Sequence, residues 1–340
     1  MATLKDIARE TGVSRQTVAR VLSGNAKEVW PSMAERAERI RRVAQEIGYR
    51  PHAAARATVT GKFHTLGLLL SVEHNRNILS QNLLDGVFEA CHEHDQHLAI
   101  ARLPDHRLTS PASVPKLLRE LNCDGLLIDY CSRIPGSMLD LLKEYSVPSV
   151  WVNSKQSADC VHPDDLAAGY QATVALFENG HREIGYLDMG PHWHYSNLDR
   201  HLGYQAAMRD FGLRPRSFYE LVTGRERLQH CADILGCHYP EATAMVAYSN
   251  VACLAMGALQ AGRQPGLDLA LVTLSNEDQH SYPHLAARQP VPDYQMGRRA
   301  VEMLLAKIAD PDRELPPVVV PPRRIKEEIP APARRQAAES

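Results

Sequence analysis

Thr3-Leu4-Lys5-Asp6-Ile7-Ala8, followed by Gly12-Val13-Ser14-Arg15-Gln16-Thr17-Val18-Ala19-Arg20-Val21-Leu22, opens the chain and decides how its first sixty residues fold. Thr3 is a fitting N-cap, and Leu4, Ile7 and Ala8 recur at helical spacing behind it. Gly12 ends that helix. Ser14 caps a second one running to about Ser23, with Val18, Val21 and Leu22 facing inward and Arg15, Gln16, Ala19 and Arg20 outward. Two short helices joined by a Gly-containing turn form a helix-turn-helix pattern. Ser32-Met33-Ala34-Glu35 reads as a capping box for a third helix, whose apolar stripe is Ala37, Ile40, Val43, Ala44 and Ile47 and which Gly48 closes. Three helices over residues 1–49 make a small core, so docking on a partner is expected to leave this fold unchanged.

Charge is segregated along the chain. The 340 residues carry a net charge of -2, yet residues 1–62 hold twelve Lys or Arg against six Asp or Glu, a balance of +6. The remainder holds 26 basic and 34 acidic side chains, a balance of -8. Such asymmetry suggests that the small end meets a polyanion. Composition, at 44% apolar and 23% charged, excludes collagen-like and wholly disordered classes. No apolar run approaches the roughly 18 residues of a membrane helix. The start shows no secretory signal, and seven Cys without a C-x-x-C argue for reduced thiols, so a soluble cytoplasmic protein is expected.

The opening stretch resembles the start of a LacI/GalR-family transcription repressor, and Gly48-Tyr49-Arg50-Pro51 resembles the end of that family's third helix. The resemblance implies that Arg15, Gln16 and Arg20 read the major groove. Their chemistry agrees, because Arg pairs bidentately with guanine and Gln with adenine. Ser14, Thr17 and Asn25 are candidate phosphate contacts, which position without specifying. Residues 50–61 become a hinge helix that in the family forms on operator DNA and enters the minor groove between two subunits. The Ala-rich run after Pro51 suits a short helix that is marginal alone. His52 stands where the family usually has Asn, and Thr58 where it usually places a wedge Leu; Arg56 is expected near the phosphates or the groove floor. A β-branched hydroxyl is a poor wedge between base steps, so weaker central kinking is expected.

From Leu66 onward, short apolar runs alternate with helical patterns. Leu66–Leu70, Leu98–Leu103, Gly125–Ile128, Val147–Val152, Ile184–Leu187, Met245–Tyr248 and Leu269–Val272 read as buried strands. Helices are expected near Asn77–Asp95, Ser113–Leu121 and Met138–Glu144. Strand–helix alternation implies parallel sheets with helices on both faces, and ligands in such sheets bind beyond the strand carboxyl ends.

The resemblance continues through Gly180-His181-Arg182-Glu183-Ile184-Gly185-Tyr186-Leu187, then Ser196-Asn197-Leu198-Asp199-Arg200-His201-Leu202-Gly203-Tyr204, and Gly297-Arg298-Arg299-Ala300-Val301-Glu302-Met303-Leu304. It implies an N-terminal all-α helix-turn-helix domain plus a two-lobed, periplasmic-binding-protein-like α/β domain. Lobe 1 would span about 62–161 and 293–318, and lobe 2 about 164–290. Crossings are expected near 161–165, 289–293 and just past Val318, and residues 323–340, with Pro330 and Pro332, read as a disordered tail.

Effector residues follow from the same resemblance. Arg200 would bond effector hydroxyls or a carboxylate. Asp164 would accept vicinal hydroxyls, or else serve as a helix N-cap. Ser71, which ends the first strand, and Asn77, which opens the next helix, occupy matching cleft positions. Asn250 and Asn276 stand near or at places where relatives carry ligand-facing Asp, so a close copy of a common sugar site is not expected. Trp151, Trp193 and Tyr195 suit stacking on a sugar or purine face, with core packing an equal account of Trp151.

No G-x-G-x-x-G, G-x-x-x-x-G-K-[ST], G-x-S-x-G or H-E-x-x-H supports an enzyme, and no cofactor is expected. Among sixteen His, the set His92, His94 and His97 on one predicted helix and the pair His192 and His194 are weighed as metal ligands and set aside as surface His. Asp164 and Asp165, adjacent on a loop, are poorly placed to converge on one bond. The sequence reading is a DNA-binding regulator, a repressor, acting as a homodimer on a pseudo-palindromic double-stranded operator, with a small-molecule effector and no membrane partner. DNA binding without effector response and a cytosolic solute sensor are the alternatives.

Overall fold

Ile7, Val18 and Ile40 are fully buried and hold three helices together: α1 (Leu4–Thr11), α2 (Arg15–Leu22) and α3 (Pro31–Glu46). The structure is a computed structural model describing residues 2–22, 31–49, 61–73, 76–274, 286–326 and 328–332. It divides into two units, Met1–Phe63 and His64–Ser340. α1 and α2 follow the sequence reading, but α3 starts earlier. The chain is already helical at Pro31, a residue tolerated in a helix's first turn, so Ser32 is not the cap that its motif suggested. Asn25, His52, Arg56, Thr58 and Asn276 lie outside the described residues.

The second unit carries two parallel sheets. The first contains β1 (Thr65–Ser71), β2 (His97–Leu103), β3 (Gly125–Ile128), β4 (Ser149–Val152), β5 (Cys160–Pro163) and β11 (Val318–Val320), in the order β11-β5-β4-β3-β1-β2. The second contains β6 (Ile184–Asp188), β7 (Arg216–Tyr219), β8 (Ala244–Ala247), β9 (Ala270–Thr273) and β10 (Ala287–Arg288), in the order β10-β9-β8-β6-β7. β3, β4, β6, β8 and β9 are buried at every position, as parallel strands covered on both faces must be. The sequence reading missed β5, β7, β10 and β11. They are two to four residues long, and β5 and β11 are bounded by Pro, too short for a periodic signal.

Helices cover both faces of each sheet. In lobe 1, α4 (Gln81–Glu93) and α12 (Asp293–Ala309) pack on one face, and α5 (Asp105–Leu108), α6 (Leu117–Leu121) and α7 (Gly136–Glu144) on the other. In lobe 2, α8 (Asp165–Glu178) and α9 (Tyr195–Asp210) cover one face, and α10 (Glu226–Asp233) and α11 (Val251–Gln260) the other. α8 and α9 cross in near contact: a Cβ on Gly203 would stand 2.0 Å from the Leu166 carbonyl oxygen, which is why that position is glycine. The chain passes from lobe 1 to lobe 2 between β5 and α8, and returns between β10 and α12.

A third passage follows β11 and corrects the sequence reading of a disordered tail over the described residues 323–326 and 328–332; residues 333–340 lie outside the described residues. Ile329 is buried in the lobe 2 core, with Ile325 packed beside it. The Gln289 Nε2 donates to the Arg323 carbonyl at 2.5 Å, and the His181 ring bridges Thr243 Oγ1 at 3.0 Å and the Pro330 carbonyl at 2.8 Å. Two isoleucines spaced four apart suffice to anchor a proline-bounded extended segment whose overall composition looks disordered. No described helix is long and apolar enough to cross a membrane.

Candidate functional site

In the first unit, local chemistry presents one face of α2. The Thr3 hydroxyl donates to Asp6 Oδ2 at 2.7 Å, and the Thr3 N–H does so at 2.9 Å, completing a capping box. These bonds hold the Asp6 carboxyl below its usual range. α1 stops at Gly12, whose φ of +70° suits a residue without a Cβ, and the chain turns into α2. There Ser14 Oγ accepts from the Thr17 N–H at 3.1 Å and contacts the Thr17 hydroxyl at 2.9 Å. Arg15, Gln16 and Arg20 are exposed, while Val18 and Val21 on the opposite side are buried. Three adjustable polar side chains therefore stand on a helix whose own orientation is held by its core.

In the second unit, Arg200 sits on α9 inside lobe 2. Its Nε donates to Asp165 Oδ1 at 2.6 Å, one terminal nitrogen donates to the Leu274 carbonyl at 2.5 Å, and the guanidinium lies 4.8 Å from the Tyr248 ring centre. Burial alone would lower its pKa, but Asp165 and the neighbouring tyrosines more than offset this and raise it. Asp165 Oδ2 has no hydrogen-bond partner among the described residues. The sequence reading passed over Asp165 because it weighed the Asp164–Asp165 pair only as a catalytic dyad. The two carboxylates in fact diverge: Asp164 caps α8, accepting from the Ala167 N–H at 2.9 Å, and Asp165 turns to Arg200.

Ser71 and Asn77 are brought together, but by each other. The Ser71 N–H donates to Asn77 Oδ1 at 2.7 Å and Asn77 Nδ2 donates back to the Ser71 carbonyl at 3.0 Å. Asn77 does not open a helix, as the sequence reading had it. Ser80 caps α4, accepting from the Leu83 N–H at 3.1 Å and donating to Asp293 Oδ2 at 2.7 Å. Asn250 precedes α11 in the left-handed region, at φ +59°, and its Oδ1 accepts from Arg227 at 3.4 Å. Trp151 is core, while Trp193 is exposed.

Asp188 and Asp129 escaped the sequence reading, and His194 and Tyr195 were named there only for other roles, as a metal ligand set aside and as a stacking ring. Asp188 at the end of β6 accepts from Asn197 Nδ2 at 2.8 Å and from the Gly190 N–H at 2.9 Å. His194 and Tyr195 lead into α9, and the density of His and aromatic residues over 192–195 was the signal for them. Asp129 is fully buried just beyond β3, and burial pushes its pKa up to about 7 against the opposing effect of the Ile78 backbone N–H. His92, His94 and His97 do not share a helix: the first is on α4, the second caps it and the third begins β2. Among the described residues, no three His, Cys, Asp or Glu gather in a metal-binding group. A groove of about 740 Å³ along α12 and β11 includes none of the effector candidates.

Residues 64–328 match the family described as periplasmic binding proteins and sugar binding domain of LacI family, and residues 3–52 match bacterial regulatory proteins, lacI family. The chain is 26% identical over 327 residues to the HTH-type transcriptional repressor PurR of Vibrio campbellii, covering 92% of this chain and 94% of that one. It is 29% identical over 328 residues to the ribose operon repressor of Escherichia coli, with the same coverages. In fold it is similar to the lac repressor dimer bound to operator and an anti-inducer, with TM-score 0.73, 19% identity and coverage of 96% and 98%. It is also similar to a transcriptional regulator from Enterococcus faecium with bound ribose, with TM-score 0.60, 20% identity and coverage of 79% and 100%.

Proposed function

The chain belongs to the LacI family of bacterial regulators, and from that premise we propose that it is a sequence-specific DNA-binding repressor whose operator affinity is set by a small molecule held between the two lobes. The observation that carries the reading is the exposed Arg15, Gln16 and Arg20 face of α2, set on a capped and packed three-helix unit. Arg offers two donors to guanine, Gln a donor and an acceptor to adenine, and the N-terminus of α2 with Ser14 and Thr17 suits a phosphate. His52, Arg56, Thr58 and Asn25 belong to the same proposed DNA surface.

One such helix reads only a few base pairs, so the protein acts as a homodimer on a two-fold symmetric site in the cytoplasm. Exposed Phe88 and Ile100 on lobe 1, and Leu228, Met256 and Leu259 on lobe 2, supply apolar area for that association. Arg200, Asp165 and Asp188 are the polar groups that an effector would engage in competition with their partners within the chain, and Asn276 joins them in this proposal. Effector and operator affinities are then linked reciprocally, by about 1–3 kcal/mol.

The test is selection from a random DNA pool by the full-length protein at two salt concentrations. Recovery of a two-fold symmetric site whose affinity falls with salt is expected. Recovery of nothing above background in the presence and absence of a cell metabolite extract would overturn the reading.

A further inference from the structure

Residues 191–196, Pro-His-Trp-His-Tyr-Ser, lead from β6 into α9 and place lobe 2 side chains onto lobe 1. The His194 Nδ1 faces the Ser196 N–H at 3.3 Å and the Ser196 hydroxyl at 2.6 Å, so it accepts. Its Nε2–H is thereby left to donate to the Asn153 carbonyl at 2.9 Å. Asn153 directly follows β4, so this bond joins the lobes.

Three neighbouring contacts also join them. The Tyr195 hydroxyl donates to Asn153 Oδ1 at 3.4 Å, and its ring stands edge-on to His162 of β5 at 5.7 Å. The Arg133 guanidinium covers the Trp193 ring at 4.6 Å. Lys155 Nζ meets Asp199 at 2.7 Å. Behind this row the Ser196 hydroxyl bonds the Tyr248 hydroxyl at 2.8 Å, and Arg200 is engaged by Asp165 and Leu274. The groups that line the lobe 2 side of the cleft are thus largely satisfied by the chain itself.

We propose that residues 191–196 are a built-in latch, in which His194 and Tyr195 draw the lobes together by bonding Asn153, and that a cleft ligand acts by competing with them for it. This concerns regulation of the cleft described above, and it rests on the repressor reading only for its consequence at the operator. A ligand that closes two lobes does so by offering groups to both. Here a side chain fixed to one lobe already makes that offer to the other, at high effective concentration and without loss of translational freedom.

The test uses the full chain and a carbodiimide, which joins an amine to a carboxylate only when the two touch. In the natural sequence with no added small molecule, Lys155 and Asp199 should couple in proportion to Lys143 and Glu314, a pair at 2.6 Å within lobe 1 that serves as reference. In the double variant Trp193→Ala with His194→Ala, the ratio of the two products should fall by about tenfold, the loss expected for two weak contacts made together. His194→Phe keeps an aromatic ring and removes all three hydrogen-bond contacts of the imidazole, and should lower the ratio in the same direction if the double variant does not fold. An unchanged ratio in the folded variants, or no Lys155–Asp199 product in the natural chain, would overturn the latch. Operator affinity is measured separately. A fallen ratio with unchanged operator affinity keeps the latch and removes its coupling to DNA, whereas a natural chain that selects no operator at all defeats the repressor reading alone.

Discussion

Replacing Asp165 by Asn removes the only carboxylate that the Arg200 Nε–H faces at bonding distance among the described residues, leaving a cation inside lobe 2. The 2.6 Å bond joins two buried side chains, so solvent does little to screen it. Removing one partner of such a pair costs about 3–5 kcal/mol, because the other is left charged and uncompensated. The Asp165→Asn variant should fall at the lower end, about 3 kcal/mol, since an amide oxygen can still accept from Nε. Arg200→Ala should cost about 4 kcal/mol: it leaves both Asp165 oxygens bare and also removes the donor to the Leu274 carbonyl. Combining the two changes relieves the stranded charge, so the double variant should lose less than the sum, by about 1–3 kcal/mol. Urea unfolding followed by far-ultraviolet circular dichroism, with the transition of the second unit analysed by itself, reads these values. Losses that add to within about 0.5 kcal/mol would refute the reasoning, because independent sites behave that way. The same variants bear on the effector: if folded Arg200→Ala still changes operator affinity with ligand, Arg200 is a structural cation and not a ligand contact.

Other predictions follow from single features. Arg15→Ala should cost about 1–3 kcal/mol on the selected operator and relax its base preference, measured by competition against point-changed sites; an equal loss on random DNA would make Arg15 a phosphate contact. Asp129→Asn should stabilise the chain at pH 8 by up to about 4 kcal/mol and change little at pH 4. The sign follows from a carboxyl raised to about 7 by burial: the folded chain holds its proton longer than the unfolded one, so stability is full below the ordinary carboxylate range and is lost as pH rises towards 7. Thermal unfolding of both proteins at the two pH values measures this, and an equal difference at both would remove titration as its cause. Gly203→Ala should lower stability by about 3 kcal/mol despite the better helix propensity of Ala, because the new Cβ meets a backbone oxygen at 2.0 Å; a rise in melting temperature would mean that α8 and α9 separate freely.

Much of this protein is legible along the chain. Local rules mark the helix-turn-helix: caps at Thr3 and Ser14, a glycine at φ +70° and apolar residues one helical turn apart involve neighbours within four residues, and the shared core of the three helices agrees with them. The buried strands β1, β3, β6, β8 and β9 were legible for a related reason, since parallel strands covered on both faces are continuous apolar runs. The resemblance then ordered them into two lobes and named Arg200.

Partnership across sequence distance was decided by the tertiary structure. Arg200 and Asp165 are thirty-five residues apart, and nothing in either segment announces that the arginine is already paired. Asn77 and Ser71 consume each other's polar groups, Asp164 spends an oxygen on a helix end, and His194 reaches Asn153 in the other lobe. Ile329 turns a proline-rich tail into a strap because a distant core has room for it. Periodicity and capping are short-range energies and can be read from the chain alone; charge pairing, burial and inter-lobe contact depend on which distant segments meet, and only folding brings those together.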